Sequence, residues 1–175
     1  MIHGHESKKW LSAIPTSVGW YLAGFADGEG SFNLSLRKRN DHKIEWQACA
    51  TFNVAQRDIT NLLMFKKYLE CGRIQKRIDG VNYFVVTNYE CLLHRVLPFF
   101  EKFEMQSLSK KHNFMLFKEA VQIMNQQAHL NAKGLRSFVE IREQINEGHG
   151  RTRKYSLCDV YPLHSENPQR LDVRV

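Results

Sequence analysis

No apolar run in this chain approaches the ~18 residues that a membrane-spanning helix needs, and its N-terminus carries no secretory apolar stretch. The expectation is a soluble protein of the cytoplasm or an organellar matrix. Cysteine is sparse. Cys49, Cys71, Cys91 and Cys158 lack the close spacing of a zinc site and are too dispersed for a disulfide frame, so they read as reduced thiols. The eight histidines do not cluster, which removes a histidine-built metal centre. His3 and His5 could hold a metal adventitiously, but they read more simply as part of a polar chain end. Acidic residues are also short: 18 Asp and Glu face 25 Lys and Arg, for a net charge of +7. That balance favours a polyanionic partner, nucleic acid first.

What is present centres on residues 20–31, Trp-Tyr-Leu-Ala-Gly-Phe-Ala-Asp-Gly-Glu-Gly-Ser. Pro15 with Thr16 or Ser17 gives a helix start, and Val18, Leu22 and Phe25 recur at helical spacing. Ala23 and Gly24 leave one side of that helix nearly bare, so another backbone can come close. Asp27-Gly28-Glu29-Gly30 lets the backbone turn and stops the helix. Glu29 then stands at the negative end of the macrodipole, where an anion is disfavoured unless a cation sits beside it. Two readings of Asp27 and Glu29 compete. One is an ordinary polar turn. The other is a site for a hard cation such as Mg2+, which takes few carboxylates and completes its shell with water and phosphate oxygens.

The rest of the chain alternates strands and helices. Residues 31–39 put Phe32, Leu34 and Leu36 on one face, with Ser31, Asn33, Ser35, Arg37 and Arg39 on the other. After a turn at Asn40-Asp41-His42, a strand from Ile44 to Ala55 repeats the pattern. Its apolar side is Ile44, Trp46, Ala48, Ala50, Phe52 and Val54, and its polar side holds Glu45, Gln47, Cys49, Thr51 and Asn53. A helix follows from an Asp58 N-cap to Leu69, closed by Cys71-Gly72. A second hairpin has Arg73, Gln75 and Arg77 alternating with Ile74 and Ile78. Asp79-Gly80 is its expected two-residue turn, and the strand Val81–Thr87 returns. There Phe84 and Val86 point inward, leaving Tyr83, Val85 and Thr87 exposed. Helices are expected at 89–96, stopped near Pro98, and at 109–126 and 133–146.

These periodicities predict an α+β fold, an antiparallel four-stranded sheet with helices on one face. Residues 1–15 form a lead-in and 16–148 the folded domain. Residues 149–175 read as a basic linker with a weakly structured tail. The polar sheet face could be merely solvated. Its composition suggests more, because Arg reads guanine edges, Asn and Gln read adenine edges, and a two-stranded ribbon fits the major groove. Lys38, Lys43 and Lys76, near strand ends and turns, suit phosphate contacts.

Leu-Ala-Gly-Phe-Ala-Asp-Gly-Glu-Gly, residues 22–30, resembles the motif of the LAGLIDADG homing endonucleases. The resemblance extends over about residues 17–148 in strand and helix order, with Glu29 where the family's name has Asp. It implies the α-β-β-α-β-β-α fold, whose saddle-shaped sheet lies along the major groove. It also implies cleavage of double-stranded DNA with Mg2+, Mn2+ as a substitute, and Ca2+ supporting binding without cutting. Glu29, with Gly28 beside it, takes the metal position. Gln56, at a strand end where the family often has Gln, matches a residue near the metals and their waters. Lys110, or its neighbour Lys111, matches a basic residue of the active-site pocket. One motif supplies one carboxylate per chain, so cutting both strands implies a two-fold homodimer. Its packed helices would meet through Trp20, Ala23, Gly24 and Asp27, and divalent cations would relieve repulsion between two Glu29 side chains. An RNA-splicing maturase and a non-cleaving DNA-binding regulator are the alternatives on the same scaffold.

Overall fold

The computed structural model describes residues 9–41, 44–146 and 153–161. A short helix α1 (Lys9–Ser12) leads into α2 (Thr16–Glu29), and β1 (Gly30–Lys38) and β2 (Trp46–Gln56) form the first hairpin. Then come α3 (Thr60–Leu69), β3 (Arg73–Lys76) and β4 (Asn82–Val86). The helical part consists of α4 (Tyr89–Cys91), a π turn (Leu92–Val96), α5 (Leu97–Lys102), α6 (Leu108–Asn125), a 3-10 turn (Ala128–Leu130), α7 (Ala132–Gln144) and α8 (Leu157–Val160).

The strands make one four-stranded sheet in the order β1-β2-β4-β3, with every neighbouring pair antiparallel. Alternation works as expected. Phe32, Leu34, Leu36, Ala48, Ala50, Phe52, Val54, Phe84 and Val86 are buried on the side that the helices cover. The core is phenylalanine-rich. The Phe32 ring lies 5.1–5.5 Å from those of Phe52, Phe100, Phe114 and Phe117, so sheet and helices meet through offset and edge-on aromatic contacts.

Several local expectations need correction. Asp27–Gly30 is not a turn: α2 continues through Glu29, and Gly30 passes straight into extended backbone at φ −79°, ψ 153°. Gly30 is required for a different reason, since a Cβ there would press on the Ala26 carbonyl. The strand expected from Ile44 begins at Trp46 instead. Glu45 sits in the left-handed region at φ 52°, and its carbonyl accepts from Arg39 N at 2.7 Å to close the hairpin. The second hairpin has a three-residue loop. Arg77 N donates to Val81 O and Gly80 N to Arg77 O, with Gly80 at φ 79°, so only the glycine needs positive φ. Pro98 does not end its helix. It occupies the first turn of α5, where a missing N–H costs little, and the wider π turn before it gives the ring room. Residues 153–161 are not loose. Tyr155 meets Trp46 edge-on at 4.8 Å, Arg142 Nη2 donates to the Tyr155 carbonyl, and Tyr161 Oη donates to Ala132 O.

Candidate active site and nucleic-acid interface

The C-terminal end of α2 meets the N-terminal end of α6 at the edge of the sheet. A recess of about 520 Å³ opens there, lined by Glu29, Ser31, Asn53, Lys110, Asn113 and Asn146 among others. Glu29 is exposed at the end of α2, and the cation that the macrodipole calls for is Lys110. Lys110 is half-buried in the first turn of α6 and its Nζ donates to the carbonyl of Gly30, directly after Glu29. Burial lowers the Lys110 pKa, and the charges of Asp27 and Glu29 offset this only in part. Lys111 faces elsewhere, with its Nζ 3.8 Å from Glu104 in a groove beside Phe100 and Met105. Of the two neighbouring lysines, the structure brings Lys110 to Glu29.

Asp27 turns to the other side of α2. Its Oδ2 accepts from Gln106 N and Ser107 N at 2.9 Å each, and Oδ1 accepts from Ser107 Oγ. Burial alone would raise its pKa. The bonds from Ser107 and Gln106, with the nearby charge of Lys110, outweigh burial and hold the carboxyl below its ordinary value. Asn113 and Asn146, which the sequence reading did not single out, close the recess from α6 and the end of α7. Burial of an Asn inside an apolar helix stripe was the available signal.

Gln56 is not in the recess. Strand alternation places Asn53 and Ala55 there, whereas Gln56 pairs with Asn82 beyond the start of β1 and its Oε1 accepts from Arg57 N.

The donors fit a hard cation. Glu29 offers carboxylate oxygen, Gly28 lines the recess without a side chain to obstruct it, and among the described residues no thiol or imidazole lines the recess. Among the described residues no group of three or more His, Cys, Asp or Glu could hold a metal alone. A cation here needs its remaining oxygens from water, phosphate or another chain, which suits Mg2+ or Ca2+ and not a soft metal.

The outer sheet face runs from this recess. Register sets Ser31 opposite Asn53, Asn33 opposite Thr51, Ser35 opposite Cys49 and Arg37 opposite Gln47. On the other half, Arg73 faces Val85 and Gln75 faces Tyr83, while Tyr83 also pairs with Ala55. Some of these side chains are already ordered by neighbours. Arg77 lies over the Tyr83 ring at 5.0 Å and donates to its hydroxyl at 3.1 Å. Arg73 donates to Thr87 Oγ1 at 3.3 Å and, with the Gln75 amide oxygen turned toward it, to Gln75 at 2.8 Å. Arg39 departs from expectation, since it lies past the end of β1 in a two-bond pair with Asp41. Glu45 belongs to the loop and not to this face. Lys43 lies outside the described residues.

The outer side of α2 is open. Trp20 is 46% and Tyr21 51% exposed, and a Cβ on Gly24 or Gly28 would meet nothing within 4 Å. Two residues expected on that surface are not free for it. Ala23 is buried in the chain's own core, one helical position too far round, and Asp27 is committed to the start of α6. Tyr21 was missed. Its hydroxyl donates to Asn61 Oδ1 and links α2 to α3, where Ile59 and Leu63 are also exposed.

The model of the LAGLIDADG endonuclease family matches residues 22–121. A probable intron-encoded endonuclease of Neurospora crassa is 29% identical over 163 residues, covering 91% of this chain and 35% of the relative. The chain thus spans about a third of the length of that relative. Among solved structures, I-SmaMI bound to uncleaved DNA target with calcium ions superposes at TM-score 0.71 with 31% identity. That match covers 74% of this chain and 45% of the other. The archaeal intron-encoded homing endonuclease I-Vdi141I, complexed with DNA, gives TM-score 0.75 and 27% identity over 81% of this chain and 91% of its own.

Proposed function

The chain belongs to the LAGLIDADG endonuclease family, and from that premise we propose that it is a homing endonuclease cutting both strands of a specific DNA duplex as a homodimer. The observation that carries the reading is the meeting of Glu29 and Lys110 in one recess at the border of the polar sheet face. A scissile phosphate on DNA lying along that face would come to the carboxylate and the ammonium together.

The sheet does the recognition. Arg37 and Gln47 lie toward the first hairpin's loop, Asn33 and Thr51 lie between them and the recess, and Asn53, Arg73, Gln75 and Tyr83 lie toward the recess. Together they present donors and acceptors to base edges, and the lysines at the strand ends take phosphates. Glu29 would hold Mg2+, which when bound supplies Lewis-acid stabilisation of the phosphodiester and lowers the pKa of a bound water. Lys110 places a positive charge where charge develops on the phosphate, in a partly desolvated setting that strengthens it. The open face of α2, with Trp20, Tyr21 and Gly24, is the surface for a second copy. Two-fold packing there brings a second Glu29 beside the first, one carboxylate for each strand cut.

Glu29→Gln tests this. It keeps size and hydrogen-bonding reach but removes the charge that holds the cation. The expected result is loss of cleavage in Mg2+ on a library-selected site, with DNA affinity in Ca2+ equal or higher, because fewer anions face the phosphates. Cleavage at near wild-type rate by the variant would overturn Glu29 as the metal ligand. A wild type that cuts no DNA but binds structured RNA tightly would put a splicing maturase in its place.

A further inference from the structure

We infer that Asp27 is a positioning residue of this site: by receiving the start of α6 it sets where Lys110 stands relative to Glu29. The inference rests on the nuclease reading above, and assigns the motif's first carboxylate a task distinct from the second.

Asp27 and Glu29 are two residues apart on α2, so their side chains leave the helix about 200° apart around its axis. They cannot share one task by geometry. Glu29 lines the recess and Asp27 does not. Instead three donors from the segment joining α5 to α6 converge on Asp27: Gln106 N, Ser107 N and Ser107 Oγ. Ser107 occupies the N-cap position of α6, yet its hydroxyl makes no capping bond to its own helix. The hydroxyl is used on Asp27. The positive end of α6 therefore takes its anion from α2 rather than from itself. Lys110 follows Ser107 by three residues, one turn on and on the same side of the helix. Residues Phe103–Ser107 belong to no helix or strand; Phe103 and Met105 anchor the segment in the core, and the Asp27 contacts with Gln106 and Ser107 fix the point after Met105 at which α6 begins. Lys110 is then held at the recess by its bond to Gly30 O, and Nζ reaches that carbonyl only if α6 starts where Asp27 places it.

The chemistry explains why a carboxylate is needed. Asn would keep one acceptor oxygen but turn an amide N–H2 toward the same converging donors. Asp27→Asn should thus shift or loosen the first turn of α6 without touching the DNA face. In the full chain at saturating DNA, the single-turnover cleavage rate is expected to fall by about 100-fold, the loss typical of an ~1 Å misplacement. The Kd for DNA in Ca2+ should remain within about threefold. In a Lys110→Met background, Asp27→Asn should add about twofold or less, because two residues acting through one group are not additive. Multiplied effects would overturn the inference.

A second measurement needs neither metal nor DNA. Acylation of lysines by an amine-reactive ester, read by peptide mass spectrometry, should label Lys110 more slowly than Lys111 in wild type. Asp27→Asn should raise the Lys110 rate several-fold and leave Lys133 unchanged. Ser107→Ala, which removes one of the three donors and leaves the carboxylate in place, should act in the same direction to a smaller extent. Unchanged Lys110 labelling in both folded variants would overturn the positioning role. A wild type that never cuts DNA would overturn the nuclease reading alone, and the labelling would still decide whether Asp27 places Lys110.

Discussion

Asn113 holds Asn146 by both ends of its side-chain amide. Asn146 N donates to Asn113 Oδ1, and Asn113 Nδ2 donates to Asn146 Oδ1, each at 3.0 Å. Asn146 Nδ2 continues to the Phe32 carbonyl at 2.7 Å, joining α6 and the end of α7 to β1. Asn146 sits at φ 56°, a left-handed conformation that Asn tolerates better than most residues. Asn113 is only 7% exposed, so its replacement leaves partners that water reaches poorly.

Asn113→Ala should therefore cost about 1–3 kcal/mol, the range for a buried polar group left unpaired. Urea unfolding would show it as a lower midpoint with an unchanged slope. An unchanged midpoint would mean that water replaces the lost amide without penalty.

His129 supplies a pH prediction. Its ring is partly buried, which lowers its pKa, and a bond with the Ile123 backbone offsets this only in part. The unfolded chain thus binds the proton more readily than the folded one. The stability contribution is present above the unfolded value of ~6.5. It is lost as pH falls from there through the lower folded pKa. Thermal unfolding between pH 8 and pH 5 should show a decline that His129→Gln flattens. A parallel decline in the variant would place the proton uptake elsewhere.

Much of this was legible in the sequence because one face of each strand is apolar at every second position. Phe32 to Leu36 and Ala48 to Val54 could take only one register without burying Arg37 or Gln47, so the sheet and its polar face followed. Glu29 was legible through a motif. What failed was local and cooperative. Glycines at 28 and 30 look like turn residues, but α2 runs through the first and the second is there to avoid the Ala26 carbonyl. Gln56 lies one residue past Ala55, enough for the pleat to turn it away from the recess. Ala23 was misplaced because a small residue suits a packed core as well as an open face. The Asn113–Asn146 pair spans 33 residues, a distance over which no periodicity speaks.

Arg77 and Tyr83 should act as a unit on the sheet face. Arg77→Ala should weaken DNA binding and lower the magnitude of the salt slope if the guanidinium reaches a phosphate. If it reads a base edge it should relax preference at one position, at about 1–3 kcal/mol. Tyr83→Phe removes the 3.1 Å bond but keeps the ring beneath the guanidinium, so its effect should be the same in kind and smaller. Binding measured across single-base variants of the site at two salt concentrations separates the cases. An effect of Tyr83→Phe larger than that of Arg77→Ala would contradict the pairing.

Gly19 and Gly24 lie five residues apart on α2 and should respond oppositely to the same change. A Cβ on Gly19 would enter the Phe103 ring, which packs edge-on with Trp20 at 5.7 Å. Gly19→Ala must displace that buried ring and should destabilise the fold at every protein concentration. A Cβ on Gly24 meets nothing within the chain. In an isolated copy Gly24→Ala should even help, since Ala exceeds Gly in a helix by about 0.8–1.0 kcal/mol. In a dimer whose α2 helices touch backbone to backbone, the same methyl group holds the copies apart. Gly24→Ala should then shift sedimentation toward monomer, and its thermal stability should depend on concentration less steeply than that of wild type. Gly24→Leu should exaggerate both effects. If Gly24→Ala raises stability equally at high and low concentration, with no change in sedimentation, the open face of α2 is not where two copies meet.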